Sequence, residues 1–346
     1  MARIIQWATG SMGRTALRRV LDDPRHDLAG VYVYSDGKAG QDAGSLARRP
    51  DTGIVATNSI DAICALDADV VLHTPRITLP YSALVDDVVR LLESGKNVVS
   101  TAGFHWPAAH GADYARTLQD AGVRGGATLA GVGVNPGVIV ERIALAATGM
   151  CHELDSLSIF EMVDASQMDS ADFVFGLMGF NSDPEKRDIR TGPLAELYGT
   201  LFSEVLYFAA SELGTEIAEI IPDHRLTLAP EDLAVKAGPI ARGNVAATEW
   251  RWRAVTRAGP ELLLSILWTA DPSMHGDRPS GHWLIEIAGR PSIRMTLDIT
   301  ESDATKPASR ALTDAVIAVA MRAIPDVIDA PPGLFAYHPP AAWKPS

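Results

Sequence analysis

The sequence predicts an α/β fold, a doubly wound parallel sheet, followed by an α+β domain with a largely antiparallel sheet. Three observations carry this. The first 135 residues alternate short apolar runs with segments of helical period. Several of those runs are apolar throughout, the mark of strands covered on both faces. The second half changes to longer alternating runs joined by short Gly/Pro turns, which read as hairpins.

The elements follow in order. "RIIQWA" (3–8) is a buried strand. After the glycines, Ala16, Leu17, Val20 and Leu21 recur at helical spacing, so 12–22 is a helix. Further strands are expected at "LAGVYVYS" (28–35), "GIVAT" (53–57), "DVVLHT" (69–74), "NVVST" (97–101) and "ATLAGVGV" (127–134), with helices near 41–48, 60–66, 81–94 and 109–121. Beyond them, "ELDSLSIFEMV" (153–163) is a strand, and a long helix runs from Thr191, its N-cap, to Leu213. Strands then form at 247–257, 261–270, 282–289 and 292–299, and a helix over 307–324 ends before Pro325 and packs back on the first domain. The Pro-rich tail "DAPPGLFAYHPPAAWKP" is expected to lie extended on the surface. The expected domains are 1–136, 137–303 and a returning 304–346.

Composition narrows the function. The chain has 346 residues, net charge -13 and 47% hydrophobic residues, enough for two domains with real cores. That acidity, with a pI near 5.1, argues against nucleic acid or an anionic membrane surface as partner. Two cysteines, Cys64 and Cys151, build neither a disulfide framework nor a zinc site. No metal is expected. No apolar run approaches the ~20 residues that span a bilayer, and the N-terminus enters a strand directly, so a cytoplasmic location is the expectation.

Against this acidic background, "WATGSMGRTALRR" (7–19) joins a tight turn to Arg14, Arg18 and Arg19. A helix N-terminus attracts anions through its unpaired N–H groups and partial positive charge. Ala8-Thr9-Gly10-Ser11-Met12-Gly13 fits the dinucleotide fingerprint with alanine in the first glycine slot. Gly10 would admit a pyrophosphate and Gly13 would let the helix pack on the strand. The domain is thus Rossmann-type, and the cofactor NAD(P). The end of the second strand separates NAD from NADP. Here "YSDGK" puts Ser35 in the deciding slot with Lys38 beyond, and these with Arg14 would hold a 2′-phosphate. NADP(H) is therefore the preferred cofactor. A one-residue shift would instead put Asp36 there, and NAD(H) remains open.

The segments "QWATGSMGR" and "NVVSTAGF" (97–104) resemble dihydrodipicolinate reductases. "GVGVNPG" (131–137), "VVLHTP" (70–75) and "AIPDVIDAPPGL" (323–334) more closely resemble the 2,4-diaminopentanoate dehydrogenase and native amine dehydrogenase family, which shares that N-terminal domain. The resemblance implies an NAD(P)H-dependent enzyme acting at a C=N or C=O carbon of a small to medium apolar substrate. It implies pyrophosphate binding by Gly10, Ser11, Met12 and Gly13. His73, Thr74, Thr101, Ala102 and Gly103 would border the cofactor, and Asn135 and Pro136 would shape the nicotinamide side.

Two departures matter. The stretch matching the reductases' paired-histidine and lysine motif, 160–173, holds neither residue, which argues against that chemistry. The glutamate that the amine dehydrogenases carry just after the fifth-strand Thr is also missing; Gly103 and Phe104 stand there. Hydride transfer to a carbonyl needs a general acid. His105, Glu161 and Asp164 are the candidates. Phe173, Phe175, Phe180 and Tyr207 are candidates for an apolar pocket or for plain core. Three readings stay open beside a general imine or carbonyl reductase: an amine dehydrogenase recruiting Glu161 or Asp164, a ketone reductase using His105, and a non-catalytic NADP(H)-binding sensor. The extended second sheet predicts a homodimer.

Overall fold

The computed structural model describes residues 1–275, 281–303, 305–306 and 309–345. They divide into two compact units, Met1–Val138 with Thr313–Tyr337, and Ile139–Leu312 with His338–Ser346.

The first unit runs β1 (Ala2–Trp7), α1 (Ser11–Asp22), β2 (His26–Tyr32), α2 (Ala43–Ala47), α3 (Ile60–Cys64), β3 (Val70–His73), α4 (Val85–Glu93), β4 (Asn97–Ser100), α5 (Ala112–Gly125) and β5 (Thr128–Gly131). Its six-stranded sheet has the order β15-β5-β4-β3-β1-β2, where β15 is Gly333–Phe335. Every pairing is parallel. Successive residues of each strand enter opposite cores. Ile4, Val70, Leu72, Val99 and Ala130 pack on one face with α1. Ile5, Trp7, Val71, Val98 and Leu129 pack on the other with α4 and α5. Burial on both faces explains why these strands read as continuous apolar runs.

The second unit contains α6 (Leu145–Thr148), β6 (Glu153–Asp164), α7 (Pro193–Glu212), β7 (Ile217–Pro222), β8 (Arg225–Leu228), β9 (Leu233–Val235), β10 (Gly238–Ile240), β11 (Val245–Thr256), β12 (Glu261–Thr269), β13 (His282–Arg290) and β14 (Ile293–Asp298). Its seven-stranded sheet has the order β14-β13-β6-β12-β11-β7, with β8 also on β11. It is antiparallel except where β12 pairs β6. The long helix lays Tyr198 against Trp250 and Trp268, with ring centroids 4.9 and 5.0 Å apart, and Phe202 against Trp252 at 5.2 Å.

Helix α8 (Ser309–Asp329) lies mostly in the first unit. Its Ile317, Ala320, Ala323, Ile324 and Val327 complete the core on the α1 face.

Several sequence expectations are corrected. The second strand ends at Tyr32, not Ser35, because the Ser35 carbonyl already accepts from Lys38 N and Ala39 N in a tight turn. "GIVAT" makes only isolated bridges. The Asp42 carboxylate gathers the N–H groups of Gly44, Thr52 and Gly53 and folds that segment into a loop. The long helix is capped by Gly192, at φ 86°, while Thr191 Oγ1 donates to Asp188 O. The last helix continues through Pro325 instead of stopping there. Pro325 itself is exposed, while Ala323, Ile324 and Val327 bury the other side of the helix. Residues 307–308 of that expected helix lie outside the described residues. The tail is not merely extended: Gly333 N donates to Ala127 O and Leu334 N to Gln119 Oε1 as β15 joins the sheet edge. Beyond Tyr337 the tail belongs to the second unit, with Trp343 N on Thr148 Oγ1.

Candidate functional site

The site is built from the turns at the carboxyl edge of the first sheet, where ligands of doubly wound sheets bind. The turn after β1 is held from below. Gln6 is fully buried, and its Nε2 donates to Ala8 O at 2.9 Å and to Thr74 Oγ1 at 2.8 Å. Thr74 Oγ1 donates to Trp7 O at 3.0 Å. Ala8, in the first glycine slot, sits at φ 70°, a left-handed conformation that costs a residue with a Cβ about 1–2 kcal/mol. Those hydrogen bonds hold it there.

The two glycines then differ. A Cβ on Gly13 would lie 2.1 Å from Ala8 O and 2.7 Å from Thr74 Oγ1, so only glycine lets α1 pack this close. A Cβ on Gly10 would meet nothing within 4 Å, and its φ of -69° suits any residue. Gly10 is exposed, and the space beside it is open. Helix α1 starts there with no side-chain cap and no acidic residue in its first turn, and first-turn amides such as those of Ser11, Met12 and Gly13 have no intrahelical partner and attract anions. A dinucleotide pyrophosphate fits this arrangement.

Lys38 closes one side. Its Nζ donates to Thr9 O at 3.1 Å and Thr9 Oγ1 at 3.2 Å. A cation from the turn after β2 is thereby pinned to the turn after β1. Ser35 is exposed in the same turn. Asp36 accepts from Asn58 Nδ2 at 2.8 Å. Arg14 makes no ion pair among the described residues. Tyr34 Oη accepts from Trp7 Nε1 at 2.8 Å, and Trp7 stacks on Tyr32 at 3.7 Å. This aromatic bracket between β1 and β2 escaped the sequence reading, although the repeated "YVY" was its signal.

The turn after β4 is organised differently. His73 is fully enclosed, its Nδ1 2.9 Å from Ser100 Oγ. Burial pushes its pKa down to about 3, so it stays neutral. Ser100 Oγ also accepts from Ala102 N at 3.1 Å, and Thr101 N donates to His73 O at 3.0 Å. His73 anchors the turn of Thr101, Ala102 and Gly103. Thr74, 4% exposed, is likewise locked beneath the first turn. His105 is 4% exposed, and its ring rests on the turn after β5: a Cβ on Gly137 would stand 3.4 Å from His105 Cε1. That turn carries Asn135 and Pro136, both partly exposed and joined by a cis peptide bond. The structure thus brings Thr101–His105 and Asn135–Pro136 together, and Thr9–Gly13 together with Lys38.

Glu161 and Asp164 belong to the second unit. Glu161 Oε2 accepts from Trp283 Nε1 at 3.2 Å. Asp164 accepts from Ser166 N at 2.8 Å and Ser166 Oγ at 3.1 Å, the bonding of a turn-forming aspartate. Of the aromatic set, Phe180 is buried core and Tyr207 is exposed. Phe175 packs over Gly238. Among the described residues no group of three or more His, Cys, Asp or Glu could hold a metal ion, and no helix is long and apolar enough to cross a membrane.

Comparison with known proteins bears on the chain as a whole. No family model matches the chain. An amine dehydrogenase of Streptomyces virginiae is 25% identical over 345 residues, covering 97% of this chain and 95% of that one. A 2,4-diaminopentanoate dehydrogenase of Acetoanaerobium sticklandii is 23% identical over 337 residues, 96% of this chain and 91% of that one. Among solved structures, an amine dehydrogenase from Mycobacterium smegmatis has TM-score 0.77 and 19% identity over 96% of this chain and 94% of its own. GenD2 from gentamicin A biosynthesis, solved in complex with NAD, has TM-score 0.52 and 16% identity over 95% and 86%. The class follows: the chain is an oxidoreductase, an NAD(P)-dependent dehydrogenase. Within it, the resemblance to amine dehydrogenase and 2,4-diaminopentanoate dehydrogenase read from the sequence motifs is the one these comparisons return, along nearly the whole chain.

Proposed function

We propose that this chain uses NADP(H), in preference to NAD(H), to reduce a C=N or C=O bond of a small to medium apolar substrate, and that it reduces a preformed imine or a carbonyl better than it aminates a ketone with ammonia. The observation that carries this reading is the turn after β4. Where the family's glutamate is expected, Gly103 stands at φ 105°, a conformation side-chain-bearing residues rarely adopt. Building an imine from ammonium requires several proton transfers that a poised carboxylate assists; hydride addition to a preformed iminium requires none. A nicotinamide coenzyme, when bound, supplies the hydride. Ser11, Met12 and Gly13 would hold its pyrophosphate, and Thr101, Ala102, Asn135 and Pro136 would border its reactive end. NADP preference rests on Lys38 at Thr9, on exposed Ser35, and on Asp36 being engaged by Asn58.

A cytoplasmic homodimer completes the reading. The sheet face opposite α7 presents Phe160, Leu263, Leu267 and Leu284, all partly exposed, as a surface for a second copy.

The deciding assay follows NADPH oxidation on cyclohexanone alone, on cyclohexanone with excess ammonium, and on 2-methyl-1-pyrroline. The imine or the ketone alone should exceed ammonium-dependent turnover by about 10²-fold or more. Ammonium-dependent turnover far above the other two would refute the reading and direct attention to Glu161 or Asp164.

A further inference from the structure

We propose that the phenol of Tyr81 is the proton donor of this site, taking the place of a carboxylate on the turn after β4. The inference rests on the reductase reading above and names the group that reading lacks.

The geometry starts at Gly103. A Cβ on this residue would lie 1.9 Å from Tyr81 Oη and 2.8 Å from Tyr81 Cζ. The phenol oxygen therefore occupies the place where a side chain on residue 103 would begin. Tyr81 reaches it from the loop after β3, where it opens a short helical turn, Tyr81–Leu84. Strands β3 and β4 are neighbours, with His73 paired to Ser100, so both loops leave the sheet at the same carboxyl edge. Tyr81 is partly exposed there, whereas His73 is fully enclosed and His105 is 4% exposed. The ring of His110 lies 5.0 Å from that of Tyr81, and Tyr114 lies 5.0 Å beyond.

The step balances simply. A reduced nicotinamide coenzyme, when bound, would supply the hydride for the new C–H bond at the carbon of C=O or of a neutral imine. The π pair moves to the oxygen or nitrogen, and that atom takes the Tyr81 O–H proton. The phenolate recovers its proton from water. In the oxidative direction the phenolate accepts the proton of the alcohol or amine. A permanently cationic iminium carries no requirement for this proton.

Three measurements on wild type and Tyr81→Phe test the proposal, with thermal melting as the control for folding. The first is NADPH affinity by tryptophan fluorescence, expected to change less than about threefold. The second compares rates on cyclohexanone and on N-methyl-1-pyrrolinium. Tyr81→Phe should lose about 10²–10⁴ on the ketone and less than about fivefold on the iminium. The third needs no turnover. In protein carrying carbon-13 at tyrosine Cζ, the resonance lost in Tyr81→Phe should titrate at lower pH once NADP⁺ is bound, because an oxidised nicotinamide held at this site would bring a positive charge near the phenol. A ketone rate retained by Tyr81→Phe, an equal loss on both probes, or a Tyr81 titration unmoved by NADP⁺ overturns this inference alone. If neither coenzyme binds wild type, the proposed function falls and takes the inference with it. If wild type turns over neither probe, the titration decides.

Discussion

Gly10 and Gly103 stand at the same edge of the same sheet, each in a turn after a buried parallel strand. Nothing lies within 4 Å of a Cβ placed on Gly10, while Tyr81 Oη lies 1.9 Å from one placed on Gly103. Gly10 has an ordinary φ of -69°; Gly103 has φ 105°. The fold itself does not require glycine at position 10, where a Cβ would meet only open space. At position 103 the fold requires glycine twice over, by conformation and by occupancy. A glycine is informative about ligands where the protein leaves the space empty, and about packing where it fills it.

The sharpest way to break this contrast is inside the first turn. Gly10→Val should weaken NADPH binding by at least about 100-fold and leave the melting temperature nearly unchanged, because the Cβ it adds meets no protein atom within 4 Å. Gly13→Ala should do the reverse. Its methyl meets Ala8 O, and such overpacking typically costs 1–3 kcal/mol. Calorimetric titration and melting on both variants check the pair. Normal coenzyme binding by folded Gly10→Val would remove the distinction.

The second turn, held from within, should betray itself through acid sensitivity. His73 stays neutral in the folded chain down to about pH 3. In the unfolded chain it takes up a proton near its ordinary value of about 6.5. Between those values the unfolded state binds more protons, so stability falls as pH drops below 6.5; above it the term is flat. The slope from this one residue approaches about 1.4 kcal/mol per pH unit. His73→Asn keeps a polar partner for Ser100 and does not titrate. Denaturant unfolding of both proteins from pH 7 to 5 should show the variant losing less stability on acidification.

The smallest expected effect concerns coenzyme choice. Lys38→Met should weaken NADPH binding by about tenfold, the scale of one charge-assisted hydrogen bond, and NADH binding by much less. Equal losses for both would show that Lys38 serves the Thr9 turn rather than a 2′-phosphate.

These two turns also show what a sequence makes legible. The first lies within seven consecutive residues, so strand, glycines and helix start are all local signals, and the parallel sheet follows from unbroken apolar runs. The second depends on Tyr81 meeting Gly103, twenty-two positions apart. No period or motif links them; only the pairing of β3 with β4 does. The same limit hid β15, whose partner β5 lies some two hundred residues earlier. It also misled the end of the second strand, where apolar residues continue past Tyr32 although Ser35 has already begun a turn. Pro325 misled for another reason. A proline stops a helix only if nothing offsets the lost bond, and burial on the opposite side is invisible until the helix is docked.

The return of Thr313–Tyr337 to the first unit also has a consequence in time. On the ribosome, β1 to β5 emerge first, with the sheet edge at β5 bare and the α1-side core lacking Ile317, Ala320, Ala323, Ile324 and Val327. The stretch between Val138 and Thr313 must be translated before those residues exist, on the order of ten seconds or more at ordinary elongation speed. Through that interval an unfinished parallel sheet shows apolar surface and an open strand edge. A nascent chain arrested before α8 should therefore bind a holdase chaperone, and release it when synthesis passes Tyr337.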